Sequence, residues 1–378
     1  SLHFNSTKAS EIYSNKILEL KKELDYQILN DGGHEERSAS YHILILERLV
    51  EFACLLEYFK KEKPNWLVSK IYKMSIWLNK ISLENNMLPR FNDSPLDLYE
   101  SKEEILEFAK SYLLGNKTIQ FSNLKSILLD LVLNKKNNIN LKDFNLYNKS
   151  VNILNLKDTG WYFLRTGNNW ELVFKCGIPC PAHLPAHVHS DQLTFDLFFK
   201  GKPIFAEVGT SNYSNNLNRY YERSGASHNT IQFSISRIND LENKWLESVE
   251  IWNNFRAARK SLPISPKIFI NEKNELIVQG SHDGYLKYKI SHFRKIKIST
   301  DTEGDLLFKL EDHISTKKNI KWRQWWHLGP DISAELLNKI INNFKNFNNL
   351  NNKISFVKHK TYYSQYFGIR QKRFSLCI

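Results

Sequence analysis

The strongest constraint in this sequence is a change of hydrophobic period near its middle. In the first part, apolar residues recur every three or four positions. They run Tyr13, Ile17, Leu20, Leu24 and Ile28, then Leu44, Ile45, Leu49, Phe52, Leu56 and Phe59. Leu67, Ile71, Met74, Leu78 and Ile81 follow, and then Ile105, Phe108 and Tyr112. That spacing gathers each set on one stripe of an amphipathic helix. Farther on, WYFLRTGNNWELVFKCG (161–177) is two aromatic and β-branched runs around a Thr-Gly-Asn-Asn turn, which is hairpin text. LTFDLFF, KPIFAEVG, HNTIQFSI, ELIVQGS, YLKYKISHF, DLLFKLED and KWRQWWHLG continue as short strands. Helices over 1–150 and antiparallel strands over 151–378 are predicted, with a boundary near 145–158 and a sandwich or large antiparallel sheet in the second part.

At 378 residues the chain exceeds the usual size of a single core. Its hydrophobic share of 42%, with 13% aromatic, suits a folded protein, and no apolar run reaches the length a bilayer needs. The net charge of +13 favours polyanionic partners: nucleic acid, anionic lipid or acidic polysaccharide. Lysines are scattered, as in LVLNKKNNINLKDF (131–144), and no zinc-finger spacing, RNP-type run or basic heptad points to nucleic acid. The cysteines, Cys54, Cys176, Cys180 and Cys377, form no disulfide framework. Residues 1–30 read as helix rather than as a signal peptide.

The chemistry-bearing stretch is AHVHSDQLTF (186–195). On an extended strand His187 and His189 would face the same side, because side chains alternate. Glu207 in PIFAEVG and His228 in SHNTIQF are candidates to complete a site, and imidazoles with a carboxylate suit zinc. The alternative is a set of unrelated core or surface histidines.

The longer text AHVHSDQLTFDLFFKGKPIFAEVGTSNYSNNLNRYYERSGASHNTIQF resembles the signature of the heparinase II/III-like polysaccharide lyases. It has their His-x-His-x-Asp opening, a Gly-x-Pro strand ending in an acid and Gly, an aromatic loop with Arg, and a closing His-Asn-Thr. ELDYQILNDGGHEERSASYHILILERLVEF (23–52), PRFNDS (89–94), IWNNFRAARK (251–260), HDGY (282–285) and HFRKI (292–296) fall in the family's order. The resemblance implies an α+β multidomain protein. An incomplete α/α toroid over 1–150 would be followed by an antiparallel β-sandwich over 151–378, with a substrate cleft between them.

It also implies β-elimination on a uronic-acid-containing acidic polysaccharide, in which a base removes the C5 proton and an acid protonates the departing O4. Tyr41 and His187 align with the proton-transfer residues, and His34, Glu36, Arg37 and Arg223 are expected to contact substrate. His189, Glu207 and His228 align with ligands of a structural zinc, and no organic cofactor is expected. Glu207 stands where an aspartate is more usual. Giving His187 and His189 separate roles requires a local bend. Glycosaminoglycan, alginate and capsular uronans remain open as the polymer. The expected location is periplasmic or secreted, with the cytoplasm as the alternative.

The family's carboxylate-neutralising Asn lies upstream of the ELDYQIL text, and no Asn-His pair precedes residue 23, as expected of a chain that starts within the toroid. One alternative is a catalytically impaired carbohydrate-binding or exopolysaccharide-assembly protein. A cupin-like metalloenzyme is another, but it predicts a glutamate soon after the histidine pair, where Ser190, Asp191 and Gln192 stand.

Overall fold

The computed structural model describes residues 6–61, 63–97, 101–117, 119–121, 124–132, 152–235, 244–333, 335, 338 and 357–378. The chain forms two compact units, Ser1–Ser82 with Leu96–Lys149, and Leu83–Pro95 with Ser150–Ile378. The turn-rich segment Leu83–Pro95 thus counts with the second unit although it lies in the helical half of the sequence. Of the region 145–158, residues 145–151 fall outside the described residues.

The first unit contains α1 (Thr7–Gln27), α2 (Ala39–Tyr58), α3 (Asn65–Ile81), α4 (Lys102–Leu114) and α5 (Leu124–Asp130). Ser6, Ser38 and Ser101 cap α1, α2 and α4 by accepting the backbone N–H of Ala9, Tyr41 and Glu104. Each cap satisfies one amide that the helix's own ladder leaves open. Gly115 ends α4 in the left-handed region, φ +71°, where a missing Cβ removes the steric cost. On α3 the expected stripe of Leu67, Ile71, Met74, Leu78 and Ile81 is wholly buried. Helix α2 differs. Its buried side chains include Ile43, Leu46, Leu49, Val50, Ala53, Cys54 and Leu56, whereas Leu44, Ile45 and Phe52 are half-buried. This helix is apolar nearly all round, so period alone does not single out its core-facing side. Among the described residues no helix is long and apolar enough to cross a membrane.

The second unit is built from antiparallel strands. A five-stranded sheet runs in sequence order through β1 (Ile153–Leu156), β2 (Trp161–Arg165), β3 (Trp170–Lys175), β4 (Phe195–Phe199) and β5 (Lys202–Phe205). The β2–β3 hairpin closes through the expected turn, where Asn169 adopts φ +65° and Thr166 Oγ1 accepts the N–H groups of Asn168 and Trp170. Helix α6 (Leu217–Arg223) precedes β6 (Ile231–Ile235), and β7 (Glu250–Ile251) pairs with β8 (Ala257–Arg259). Strands β9 (Pro263–Ile270), β10 (Leu276–His282), β11 (Ile290–Thr300) and β12 (Leu306–Thr316) form a meander. Another sheet has the order β14 (Val357–Tyr363), β15 (Gln371–Cys377), β13 (Ile320–His327), β6. Leu172, Phe174, Phe195, Leu197, Val278, Ile296, Trp326 and Leu376 bring the three larger sheets onto one apolar core. Each such side chain, fully buried, contributes roughly 1.5–3 kcal/mol relative to exposure.

Outside that core, His282, His292 and His327 are buried and hydrogen-bonded, as expected of structural histidines. His292 Nε2 faces Asp312 Oδ1 at 2.7 Å, and His327 Nδ1 faces Ser375 Oγ at 2.6 Å. Trp325 and Trp326 are buried, while Trp322 is 42% exposed. All four cysteines are free thiols.

Candidate active site

The loop joining β3 to β4, residues 176–194, carries His187, His189 and Asp191. Contrary to the strand expectation, His187–Thr194 is irregular, with φ of +59° at His187 and +60° at Leu193. Left-handed backbone at two side-chain-bearing residues breaks the alternation of a strand. This is the bend that separate roles for the two histidines require.

Both rings nevertheless turn to one carboxylate, that of Asp93 from the PRFNDS segment. His187 Nδ1 lies 3.1 Å from Asp93 Oδ2, and His189 Nε2 lies 2.9 Å from Oδ1. The Arg219 guanidinium on α6 forks onto the same carboxylate, with Nη1 and Nη2 donating at 2.6 and 2.7 Å. Thr210 Oγ1 donates at 3.2 Å. Burial would raise the pKa of Asp93, but the Arg219 charge and the two histidine contacts outweigh it and hold the carboxyl well below the usual range. Beyond Asp93, the His187 ring meets Phe255 at 4.7 Å and Tyr213 at 6.2 Å between centroids, both edge-on.

His189 also belongs to a second group. One ligand atom each from His189, Asp191 and His228, all buried, lie within 4.8 Å of one another. The donor set fits a metal ion. His189 has committed Nε2 to Asp93, which leaves Nδ1. His228 has committed Nδ1 to Glu207, and its buried Nε2 has no hydrogen-bond partner. Asp191 Oδ2 accepts from Lys175 Nζ at 2.5 Å, and its buried Oδ1 has no partner. Two imidazole nitrogens and a carboxylate oxygen are a combination zinc takes.

Glu207, expected among the ligands, instead backs His228. One of its oxygens faces the His228 ring, and the other accepts from Thr194 Oγ1 at 2.5 Å. Asp191 occupies the place beside the two histidines. Burial opposes charge on both members of the Glu207–His228 pair. Mutual attraction overrides it, lowering the glutamate's pKa and raising the histidine's. For His189 burial wins over its Asp93 contact, and the ring is held well below the usual histidine range.

Arg223 was expected to bind substrate carboxylate, yet it is fully buried. Its Nε donates to Val188 O at 2.9 Å and its Nη1 to Asn253 O at 2.5 Å, so the guanidinium ties two loop backbones together. Burial lowers its pKa to about 10. Arg294, also fully buried, does similar work behind the cluster. Its Nη1 donates to Leu193 O at 2.8 Å and Asn229 O at 2.6 Å, holding the chain next to His189 and His228.

In the first unit, the expected residues His34, Glu36 and Arg37 lie on the turn between α1 and α2, and Tyr41 follows on α2 itself. Gly32, at φ +100°, lets this turn pass against the Lys73 carbonyl, where a Cβ would collide. The buried His34 is neutral at ordinary pH, its pKa pushed down to about 4 by burial and by the Arg37 charge. Arg37 is buried at φ +53° and Nη1 donates to Glu35 O. Tyr41 is half-buried in the first turn of α2.

Sequence reasoning passed over Asp93, Asp191 and Arg219. Asp191 stood within the quoted histidine motif. Asp93 and Arg219 lie 94 and 32 positions from His187, on either side, beyond the reach of any spacing rule.

Residues 149–362 match the family model described as heparinase II/III-like, C-terminal, and residues 5–121 match the heparinase II/III N-terminus. A heparin-sulfate lyase of Bacteroides stercoris is 24% identical over 234 residues, covering 59% of this chain and 32% of that protein. A solved heparinase III superposes with a TM-score of 0.65 at 18% identity, covering 98% of this chain and 53% of the other. The heparan sulfate lyase HepC of Pedobacter heparinus gives 0.60 at 17% identity, over 95% of this chain and 52% of that one. The chain therefore spans about a third of the curated relative's length and about half of the solved relatives'.

Proposed function

The chain belongs to the heparinase II/III-like family, and from that premise we propose that it acts as a polysaccharide lyase, cleaving a uronic-acid-containing acidic polysaccharide by β-elimination. The observation that carries this reading is His187. It is a histidine on a left-handed loop residue, braced from behind by a buried carboxylate and flanked by aromatic rings of the kind that pack on sugars. Non-glycine residues in this backbone region cost on the order of 1–3 kcal/mol and persist where the surroundings over-determine them, commonly at functional sites.

In this reading Tyr41 and His187 move the protons at C5 and O4 of one uronate, each contributing on the order of 10²- to 10⁴-fold in rate. His34, Glu36 and Arg37 meet the substrate from the helical unit, whose helices we read as an arc of an α/α toroid. Arg37 and the net charge of +13 suit a polyanion. Because the curated relative is a heparin-sulfate lyase, a sulfated glycosaminoglycan is the first polymer to test, with alginate next.

We further propose that His189, Asp191 and His228 hold zinc in a structural role, with Asp93 and Glu207 as the carboxylates that orient the two rings. When bound, the ion supplies fixed positive charge and cross-links the loop before β4 to the chain before β6. Chelation should lower the melting temperature of the second unit, and added zinc should restore it. An unchanged melt after verified metal removal would oppose the structural role.

The deciding experiment incubates the protein with heparan sulfate, heparin, alginate and other uronans while following the ultraviolet absorbance of an unsaturated uronate. Absorbance that grows with wild type and is abolished by Tyr41→Phe in a folded variant supports the lyase. Binding with no unsaturated product on any polymer would favour the carbohydrate-binding alternative.

A further inference from the structure

Asp93 moves no proton in the chemistry outlined above, yet three side chains besides Thr210 converge on its carboxylate. It is fully buried in the bend after Phe91 and accepts from Arg219 through both terminal nitrogens, from His187, from His189 and from Thr210. Its backbone N–H also donates to the His187 carbonyl at 3.2 Å, so one residue grips His187 by both ring and main chain.

We propose that Asp93, locked in place by the Arg219 fork, is the positioning residue that sets the tautomer and orientation of the His187 ring for elimination. The inference rests on the lyase reading and deepens it. An ionised carboxylate is acceptor-only, so a ring nitrogen facing it must carry the hydrogen. His187 therefore donates through Nδ1, and Nε2 is the nitrogen that the neutral tautomer of this arrangement leaves bare. By the same logic His189 donates through Nε2, leaving Nδ1 for an ion. One carboxylate thus fixes both histidines, each through a different ring nitrogen and a different oxygen. The fork of Arg219 makes this possible. Its two short bonds fix the carboxylate plane, and its charge lets a fully buried anion persist. The ring that faces Oδ2 is carried on left-handed backbone, φ +59° at His187.

The first test uses the unaltered protein and nitrogen NMR of its labelled histidines. The expected spectrum has His187 protonated at Nδ1 and bare at Nε2, assigned by its disappearance in His187→Gln. Protonation at Nε2 instead would overturn the proposal without any variant of Asp93 having to fold. The second test is Asp93→Asn, whose amide presents a donor to one of the rings. The proposal expects the His187 tautomer to change or mix, and kcat on the cleaved polymer to fall by about 10²-fold or more with KM within about threefold. A merely structural ion pair would leave the tautomer as it was, and that result, or kcat within about threefold, would overturn the assignment. Asp93→Glu should recover part of kcat. Should the wild-type tautomer be as expected while no polymer is cleaved, the lyase reading fails and the orientation of His187 by Asp93 stands.

Discussion

Arg294 offers the sharpest test of how the fold supports the site. Its side chain is fully buried on β11, with Nε and Nη2 donating to Asp312 at 2.8 and 2.9 Å and Nη1 reaching the Leu193 and Asn229 carbonyls. Arg294→Met keeps most of the volume and removes all four bonds. Asp312 would retain His292 and Gln324, at 2.7 and 3.2 Å, but lose the positive charge that, against the cost of burial, holds its carboxyl far below the usual range. Stranding a buried charge costs about 3–5 kcal/mol, and two carbonyls left unpaired push toward the upper end. For a unit of this size that is a melting-temperature drop of roughly 10 °C. Calorimetry of the second unit's transition measures it. Arg294→Met/Asp312→Asn should recover much of the loss, because the stranded charge is gone, so the cycle should show strong coupling. A single variant within about 1 kcal/mol of wild type, or strictly additive losses, would refute the account of Arg294 as the anchor of both site loops.

The remaining expectations concern acid and backbone. His34 and His42 are neutral in the fold, with pKa pushed down to about 4 and about 3, burial being the main cause of each. The unfolded chain binds protons first as pH falls below about 6.5. Helical-unit stability should therefore be full above that pH and decline by a few kcal/mol toward pH 4. Urea midpoints flat over this window would contradict it, and His42→Gln should shallow the slope. Gly209, at φ +77°, lies where the Ser364 carbonyl occupies the space a Cβ would need. Gly209→Ala should cost about 2 kcal/mol or more, while Gly167→Ala, with nothing within 4 Å, should fall within about 0.5 kcal/mol of wild type in the same melt.

What the sequence shows is what local periodicity encodes. Helix α3 and the β2–β3 hairpin follow from spacing and turn chemistry, because each buries one face by a rule a few residues long. The core-facing side of α2 was not legible, since apolar residues surround that helix and tertiary packing decides among them. The histidine loop has strand-like alternation in its letters, but left-handed backbone at His187 and Leu193, imposed by contacts such as Asp93 and Arg294, overrides it. Asp191 and Glu207 are both carboxylates near histidines, and only three dimensions put one beside the cluster and the other behind His228. Arg223 and Arg219 sit four positions apart on α6. Spacing could not tell that one clamps loop carbonyls while the other forks onto Asp93.

The central proposal is that Tyr41 and His187 act on the same uronate, and a crystal structure with a bound uronate oligosaccharide tests it most directly. The account predicts one sugar ring touched by both the Tyr41 hydroxyl and His187 Nε2, with Asp93 behind the imidazole. A ring contacted by either residue alone, with the other remote from every sugar in the chain, would contradict it.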